Sequence, residues 1–330
     1  MHGGRENFVV SPGHKTLAGE RGCCCHLCVN LEPNPHAVGC NAPQELVIVQ
    51  TCDTFVMRPL NTWPSADKSR IKGLFTDIDD TLTTDGAITP DALAALAELR
   101  AGGLRVIAIT GRPVGWSEPF VMAWPVDAIV AENGAVLLQK THKNELQPNK
   151  YRHKQLLKSY QKSHVIRAKN YARIQQVSQR LLSEVSGARL AQDSAGRETD
   201  MAIDHSEFTQ LPLEKVAQVV AIMQSEGMSA TVSSIHINGW FGEHNKLVGA
   251  RWAVRELFNR DLDEEINNWA FVGDSTNDQL MFKAFPNAIG VANVRRFEAL
   301  LAHLPRYITD GERGAGFAEV ARAVLSAQIN

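Results

Sequence analysis

The sequence predicts an α/β protein, a Rossmann-like doubly wound parallel sheet with a smaller α/β cap inserted into it. Three observations carry this prediction. Short continuous apolar runs alternate with segments of helical periodicity, the pattern of βαβ crossovers. Three of those runs end abruptly in polar clusters, as buried strands do at the ligand edge of an open sheet. Between about residue 137 and residue 239 the texture changes, and the core pattern resumes afterwards, as expected for an insertion.

Ile71 to Thr76 reads as the first buried strand, and it stops in Asp77-Ile78-Asp79-Asp80-Thr81-Leu82. Thr89-Pro90-Asp91 supplies a cap, a proline at the first helical position and an acid in the first turn, and the helix ends at Gly102-Gly103. Leu104 to Ile109 is a second strand, ending in Thr110-Gly111-Arg112-Pro113. A helical segment then runs to about Ala123 and a third strand spans Ala128 to Ala131, before the turn Glu132-Asn133-Gly134. Inside the insertion the sequence predicts helices from Tyr171 to Ser186 and from Pro212 to Glu226, with strands at Met201–Ile203 and Ala230–Ile237. The basic stretch from Lys140 to Lys169 reads as a solvated cap surface. The core resumes with a helix from Lys246 to Phe258, a strand from Trp269 to Val272 ending in Gly273-Asp274-Ser275-Thr276-Asn277-Asp278, and a strand from Ala288 to Val291. The expected organisation is therefore an extension over residues 1–68, a core over 69–136 and 240–330, and a cap over 137–239.

With 330 residues the chain is long enough for substantial cores, and its net charge of −2 gives no basic footprint for nucleic acid and no polybasic membrane patch. No apolar run approaches the roughly 18 residues of a membrane-spanning helix, and the expected location is cytoplasmic. All six cysteines (Cys23, Cys24, Cys25, Cys28, Cys40 and Cys52) precede residue 53. Cys25-His26-Leu27-Cys28 has the spacing of a zinc knuckle but lacks a second matching pair, so residues 1–68 read as a poorly ordered extension rich in Gly, Pro, Asn and His. A start at Met57 would leave the core intact.

Asp77, Asp79 and Asp80, then Thr110 and Arg112, then Asp274, Asn277 and Asp278 all stand just past the carboxyl ends of predicted parallel strands. The fold would set these clusters side by side although they lie about 200 residues apart. Gathering like charges costs free energy unless a cation sits among them. An all-oxygen donor set without His or Cys selects a hard ion, most simply Mg²⁺, which shares its shell with a substrate phosphate. A carboxylate is a competent nucleophile toward phosphorus. Thr110 offers a hydroxyl and Lys246 a fixed positive charge for the transferring oxygens. Asp79, two residues beyond Asp77, projects the same way along an extended chain and is placed for acid/base work.

Taken together and in order, Asp77-Ile78-Asp79-Asp80-Thr81-Leu82, Ile109-Thr110-Gly111-Arg112, Asn133-Gly134-Ala135, Lys246 and Gly273-Asp274-Ser275-x-Asn277-Asp278 resemble the haloacid dehalogenase superfamily of aspartate-nucleophile phosphatases. The subgroup with a large α/β cap is the nearest match, as in the Cof-type, sucrose-phosphatase and mannosyl-phosphoglycerate phosphatase families, and it covers about residues 70 to 325. The resemblance implies Asp77 as nucleophile, Asp79 as acid/base and metal ligand through its carbonyl, Thr110, Gly111, Lys246 and Asn277 as phosphate binders, and Asp274 and Asp278 at the metal. It also implies a small phosphorylated metabolite, such as a sugar phosphate, as substrate. One departure stands out: Leu247 and Val248 separate Lys246 from Gly249, where relatives have glycine directly after the lysine. For the cap, Ser234, His236 and Asn238 alternate with Ile235 and Ile237 and share one face of a predicted strand, which makes them candidate substrate contacts along with Arg112. Arg197 and Asp200 are further candidates, and Trp240 with Phe241 reads as a hinge anchor or a sugar platform. A phosphomutase of the same fold and a zinc-binding regulatory protein working through the N-terminal cysteines are the competing readings. Oligomeric state is not encoded in any of these features.

Overall fold

The structure is a computed structural model, and it describes residues 56–142 and 154–328. The six cysteines and the possible zinc knuckle lie outside the described residues. In chain order the first part of the core comprises β1 (Arg58–Pro59), α1 (Ser65–Lys68), β2 (Gly73–Thr76), β3 (Thr83–Thr84), β4 (Ala87–Ile88), α2 (Pro90–Ala101), β5 (Arg105–Ile109), α3 (Val114–Ala123), β6 (Ala128–Ala131), β7 (Val136–His142) and β8 (Lys154–Tyr160). The cap follows as α4 (His164–Glu184), β9 (Arg189–Leu190), β10 (Asp200–Asp204), α5 (Leu213–Ser225), β11 (Ser229–Val232) and β12 (His236–Trp240). The core then resumes with α6 (Lys246–Phe258), α7 (Leu262–Glu265), β13 (Trp269–Gly273), α8 (Gln279–Ala284), β14 (Asn287–Gly290), β15 (Tyr307–Ile308) and α9 (Arg313–Gln328).

Nine strands form one sheet in the order β1-β15-β14-β13-β2-β5-β6-β7-β8. Pairing is parallel from β1 through β6, and the β7–β8 hairpin is added antiparallel at one edge. Successive strand residues feed opposite faces, so the central strands are apolar on both faces. Leu74, Val106, Ile129 and Val272 pack beneath α2, α3 and α9, while Phe75, Ile107, Val130 and Phe271 pack beneath α6 and α8. The result is a three-layer α/β/α core with β13, β2 and β5 adjacent at its centre, as the strand-end clusters require.

Three sequence expectations are corrected. The stretch 56–68 belongs to the core rather than to a poorly ordered extension: β1 pairs with β15, and Trp63 is buried against Tyr307, its indole N–H donating to Asn287 Oδ1 at 3.1 Å. The cap does not begin at residue 137. The β7–β8 hairpin continues the core sheet, the Lys140 ammonium donates to the Trp124 carbonyl, and Lys158 pairs with Glu118 and Glu198, so the strand residues of the basic stretch are tied into the sheet edge, while its end from His164 opens cap helix α4. The single strand expected over Ala230–Ile237 is a hairpin of β11 and β12 that turns at Ser233-Ser234-Ile235.

The cap sheet, β11-β12-β10-β9, is antiparallel. Met201, Ile203 and Ile237 point to one face and pack with Ile174, Val177, Leu181, Val219 and Met223 of α4 and α5. The same period of two turns Asp200, Asp204, His236 and Asn238 to the opposite face, and their hydrogen bonds reach Gly111 of the core and the polar loop residues beside it. Among the described residues no helix is long and apolar enough to cross a membrane.

Candidate active site

Asp77 follows directly on β2, and its amide N–H donates to the Val272 carbonyl of β13, which fixes the acidic loop to the neighbouring strand. Its carboxylate is buried: Oδ1 accepts from the Ile78 amide at 2.8 Å, and Oδ2 lies 2.9 Å from the Lys246 ammonium. Lys246 opens α6, whose N-cap Asn245 accepts from the Val248 amide at 3.0 Å. The displaced glycine proves to have a packing role. Gly249 sits one turn into α6 directly against Gly134, itself at φ +108°, and this backbone contact presses the helix start onto the turn after β6. A Cβ on Gly134 would run into the Asn245 carbonyl oxygen as well as adopt a backbone disfavoured for L-residues. Gly134→Ala is therefore expected to destabilise the fold by roughly 3 kcal/mol, measured as a loss of denaturation midpoint, and to lower activity through displacement of Lys246. A neutral effect on both would show that this contact does not set the lysine.

Lys246 also donates to Asp278 Oδ1 at 2.7 Å, and Asp278 Oδ2 accepts from the amides of Asp274 and Ser275. Asp278 thus has both carboxylate oxygens hydrogen-bonded, and it braces both the lysine and the loop after β13. Asp77, Asp274 and Asp278 bring ligand oxygens within 4.8 Å of one another. Asp274 Oδ2 accepts from Asn293 Nδ2 at 3.2 Å, whereas Oδ1 is buried with no hydrogen-bond partner. Burial first, then the charges of Asp77, Asp278 and Asp80, push the Asp274 carboxyl well above the ordinary carboxylate range. Burial likewise raises Asp77, opposed by Lys246 and reinforced by Asp278. Burial alone would lower the Lys246 ammonium, but Asp278 and Asp77 outweigh it and hold the charge on. An all-carboxylate seat whose inward oxygen lacks a partner fits a hard divalent cation.

Thr110 is buried at the end of β5 and its hydroxyl oxygen accepts from the Arg112 amide, which leaves the O–H to donate. The Asp79 side chain lies outside the carboxylate cluster of Asp77, Asp274 and Asp278. Both of its oxygens accept from Arg112 Nε at 3.0 Å, and Arg112 Nη1 and Nη2 go on to Asp193 at 3.1 Å and Glu207 at 2.6 Å in the cap. Arg112 is buried and lies over the Trp116 ring, 5.1 Å from its centroid. Asn277 sits beside the loop, its side-chain oxygen accepting from the Ser275 hydroxyl.

The cap candidates divide. Ser234 lies in the hairpin turn and lines the central cavity with Asp80. His236 and Asn238 do share a face, but their polar atoms are engaged: His236 Nε2 meets Glu207 Oε2 at 2.8 Å, and the Asn238 amide donates to Asp200 and to the Gly111 carbonyl. Arg197 is buried in the same way, donating to Gly111 O at 3.0 Å, to Asp200 and to Asp193. Trp240 is an anchor, its N–H donating to His244 O at 2.9 Å.

Sequence reasoning missed Glu132, which is buried after β6 at φ +49° and accepts from Val114 N, Glu198 N, Thr199 N and the Thr199 hydroxyl, joining two core loops to a cap loop. Close by, Gly115 and Gly196 meet backbone to backbone. It also missed Asp193, Glu207, Asn293 and Arg313. Arg313 pairs with Asp80 at 3.0 Å, and Asn293 donates to the Asp80 carbonyl. Each is a lone polar residue in the sequence, with Arg313 at the start of α9 and the others between the main elements, and only the third dimension joins them.

A family model described as haloacid dehalogenase-like hydrolase matches residues 74–176. No curated protein matches the chain in sequence. Among solved structures, a HAD/COF-like hydrolase from Plasmodium vivax is 16% identical with a TM-score of 0.57, over 79% of this chain and 98% of that one. The sucrose-phosphatase of Synechocystis, solved with sucrose and phosphate, is 15% identical with a TM-score of 0.53, over 77% and 97%. The C-terminal domain of the Candida albicans trehalose-6-phosphate phosphatase is 13% identical with a TM-score of 0.55, over 82% and 98%. At these identities the likeness is one of fold. The segment that matches this family model carries the Asp77 and Thr110 motifs, and the chain shares the fold of these structures.

Proposed function

We propose that the protein is a Mg²⁺-dependent phosphatase that hydrolyses a phosphomonoester of a sugar or similar small metabolite through an aspartyl-phosphate. The observation that carries this reading is the buried Asp77 carboxylate, 2.9 Å from the Lys246 ammonium, with Asp274 and Asp278 within 4.8 Å and Asp79 two residues away. The sugar-phosphatase relatives of like fold support the substrate class.

Asp77 attacks phosphorus, and the P–O bond to the leaving group breaks. Lys246, the Thr110 hydroxyl and the loop amides about Gly111 bind the transferring oxygens as their charge develops. Asp79 delivers a proton to the departing oxygen and then takes one from the water that hydrolyses the acyl phosphate. Arg112, which holds both Asp79 oxygens, fixes that carboxyl in place. Asp77 and Asp274, with the Asp79 carbonyl, would hold Mg²⁺, which when bound supplies charge neutralisation for the phosphoryl group and relieves the mutual repulsion of the carboxylates. Asp278 serves from behind, through Lys246 and the Asp274 amide.

The test is a phosphate-release screen over sugar phosphates, phosphoglycolate and nucleotides with Mg²⁺, with a bisphosphate activator added in parallel. Robust inorganic phosphate without activator supports the hydrolase, whereas isomerisation dependent on the bisphosphate would make the enzyme a mutase. Removal of divalent ions with EDTA is expected to abolish turnover. Saturating Mg²⁺ is expected to raise the thermal midpoint, since at 100 times its dissociation constant a ligand adds about 2.7 kcal/mol. An unchanged midpoint in Mg²⁺ would show that the carboxylate seat takes no such ion.

A further inference from the structure

Beside the reaction centre lies a cavity of about 760 Å³, roomy enough for a leaving group larger than a single hexose. Four carboxylates outside the proposed Mg²⁺ seat (Asp79, Asp80, Asp85 and Glu207) face three guanidiniums (Arg112, Arg296 and Arg313) around it, and Asp274 of that seat also lines it. The two arginines that reach inward are already neutralised. Arg112 is shared among Asp79, Asp193 and Glu207, so that each of its three nitrogens already carries an anion. Arg313 pairs with Asp80 at 3.0 Å and sits 3.6 Å from Asp85. Arg296 lies at the rim, half-exposed and paired with Glu312, where water screens its charge. The remaining wall is neutral: the indole of Trp116, the rings of Phe208 and Phe297, and the Ser206 and Ser234 hydroxyls. Aromatic faces beside hydroxyl and carboxylate acceptors suit the C–H faces and O–H donors of a polyol.

We propose that this cavity is a charge filter, with Asp193 and Glu207 as its specificity-determining residues: by occupying Arg112 they restrict the leaving group to uncharged polyhydroxyl compounds and reject those with a second anionic group. The inference rests on the phosphatase reading above and narrows its substrate class. A carboxylate or second phosphate in the cavity would lie among Asp79, Asp80, Asp85 and Glu207 with both inward guanidiniums already paired, and like-charge juxtaposition of this kind discriminates strongly. The same arrangement disfavours a sugar bisphosphate.

The experiment compares kcat/KM for two matched pairs of esters that differ by one carboxylate, glucose 6-phosphate against 6-phosphogluconate and phenyl phosphate against 4-carboxyphenyl phosphate. Wild type is expected to prefer the neutral member of a pair by at least roughly tenfold. Asp193→Asn and Glu207→Gln, each nearly isosteric, are expected to shrink that preference by about tenfold through KM for the anionic ester, with kcat for the neutral ester changing far less. A residue needed only for folding would lower both esters alike. Equal use of the two members by wild type, or a preference unmoved in both variants, overturns the filter while leaving the hydrolase standing. A wild type that releases phosphate from none of the four esters overturns the hydrolase reading and the filter with it.

Discussion

Asp77→Asn is expected to lose at least roughly three orders of magnitude in phosphate release while remaining folded. The amide keeps the shape of the carboxyl but is no nucleophile toward phosphorus, so the covalent step has no starting point. Stability is expected to stay within about 1 kcal/mol of wild type. The Asp77 carboxyl is pushed above its usual range by burial, so removing its charge relieves a cost even as it forfeits the ion pair with Lys246. Lys246 still has Asp278 at 2.7 Å. The measurement is steady-state phosphate release beside a thermal melt. Turnover by the variant equal to wild type would falsify the nucleophile assignment, and collapse of the melt would show a structural debt at this position instead.

Lys246→Met has the second large expected effect, and it falls on stability and activity together. The ammonium is buried between Asp77 and Asp278, and its removal leaves two buried carboxylates facing each other uncompensated. Breaking a buried pair from one side costs about 3–5 kcal/mol, which in a chain of this size lowers the melting midpoint by on the order of 10 °C. Activity is expected to fall by roughly 10²- to 10³-fold, the scale of losing one preorganised electrostatic partner of the transition state. Adding Asp278→Asn to the variant separates the two roles. It is expected to recover part of the midpoint and none of the rate, because the carboxylate repulsion is reduced but the phosphoryl oxygens still lack their cation. Recovery of rate would move the lysine from the chemistry to the scaffold.

The central strands β2, β5, β6, β13 and β14 were legible in the sequence because each is short, largely apolar and set between helix caps and glycines. Helix α6 begins at Lys246 as expected, since Asn245 is an N-cap in the sequence and in space. The meeting of Asp77, Asp274 and Lys246 was legible for a related reason: carboxyl ends of parallel strands share one edge whatever the intervening chain does. The cap was less legible. Ala230 to Ile237 keeps a β pattern straight through Ser233-Ser234, and without a glycine to mark the turn the hairpin read as one strand. His236 and Asn238 faced the core as the alternation required, but period alone cannot tell a side chain waiting for ligand from one already bonded to Glu207 or Gly111. The fate of Arg112 was unreadable because two of its partners, Asp193 and Glu207, sit 81 and 95 residues away in cap loops.

The junction made by Glu132 with the Glu198 and Thr199 amides, and by Gly115 against Gly196, has a mechanical consequence. The insertion is thereby fastened to the catalytic body by buried hydrogen bonds and a backbone contact, and any swing of this part of the cap away from the body would have to break them first.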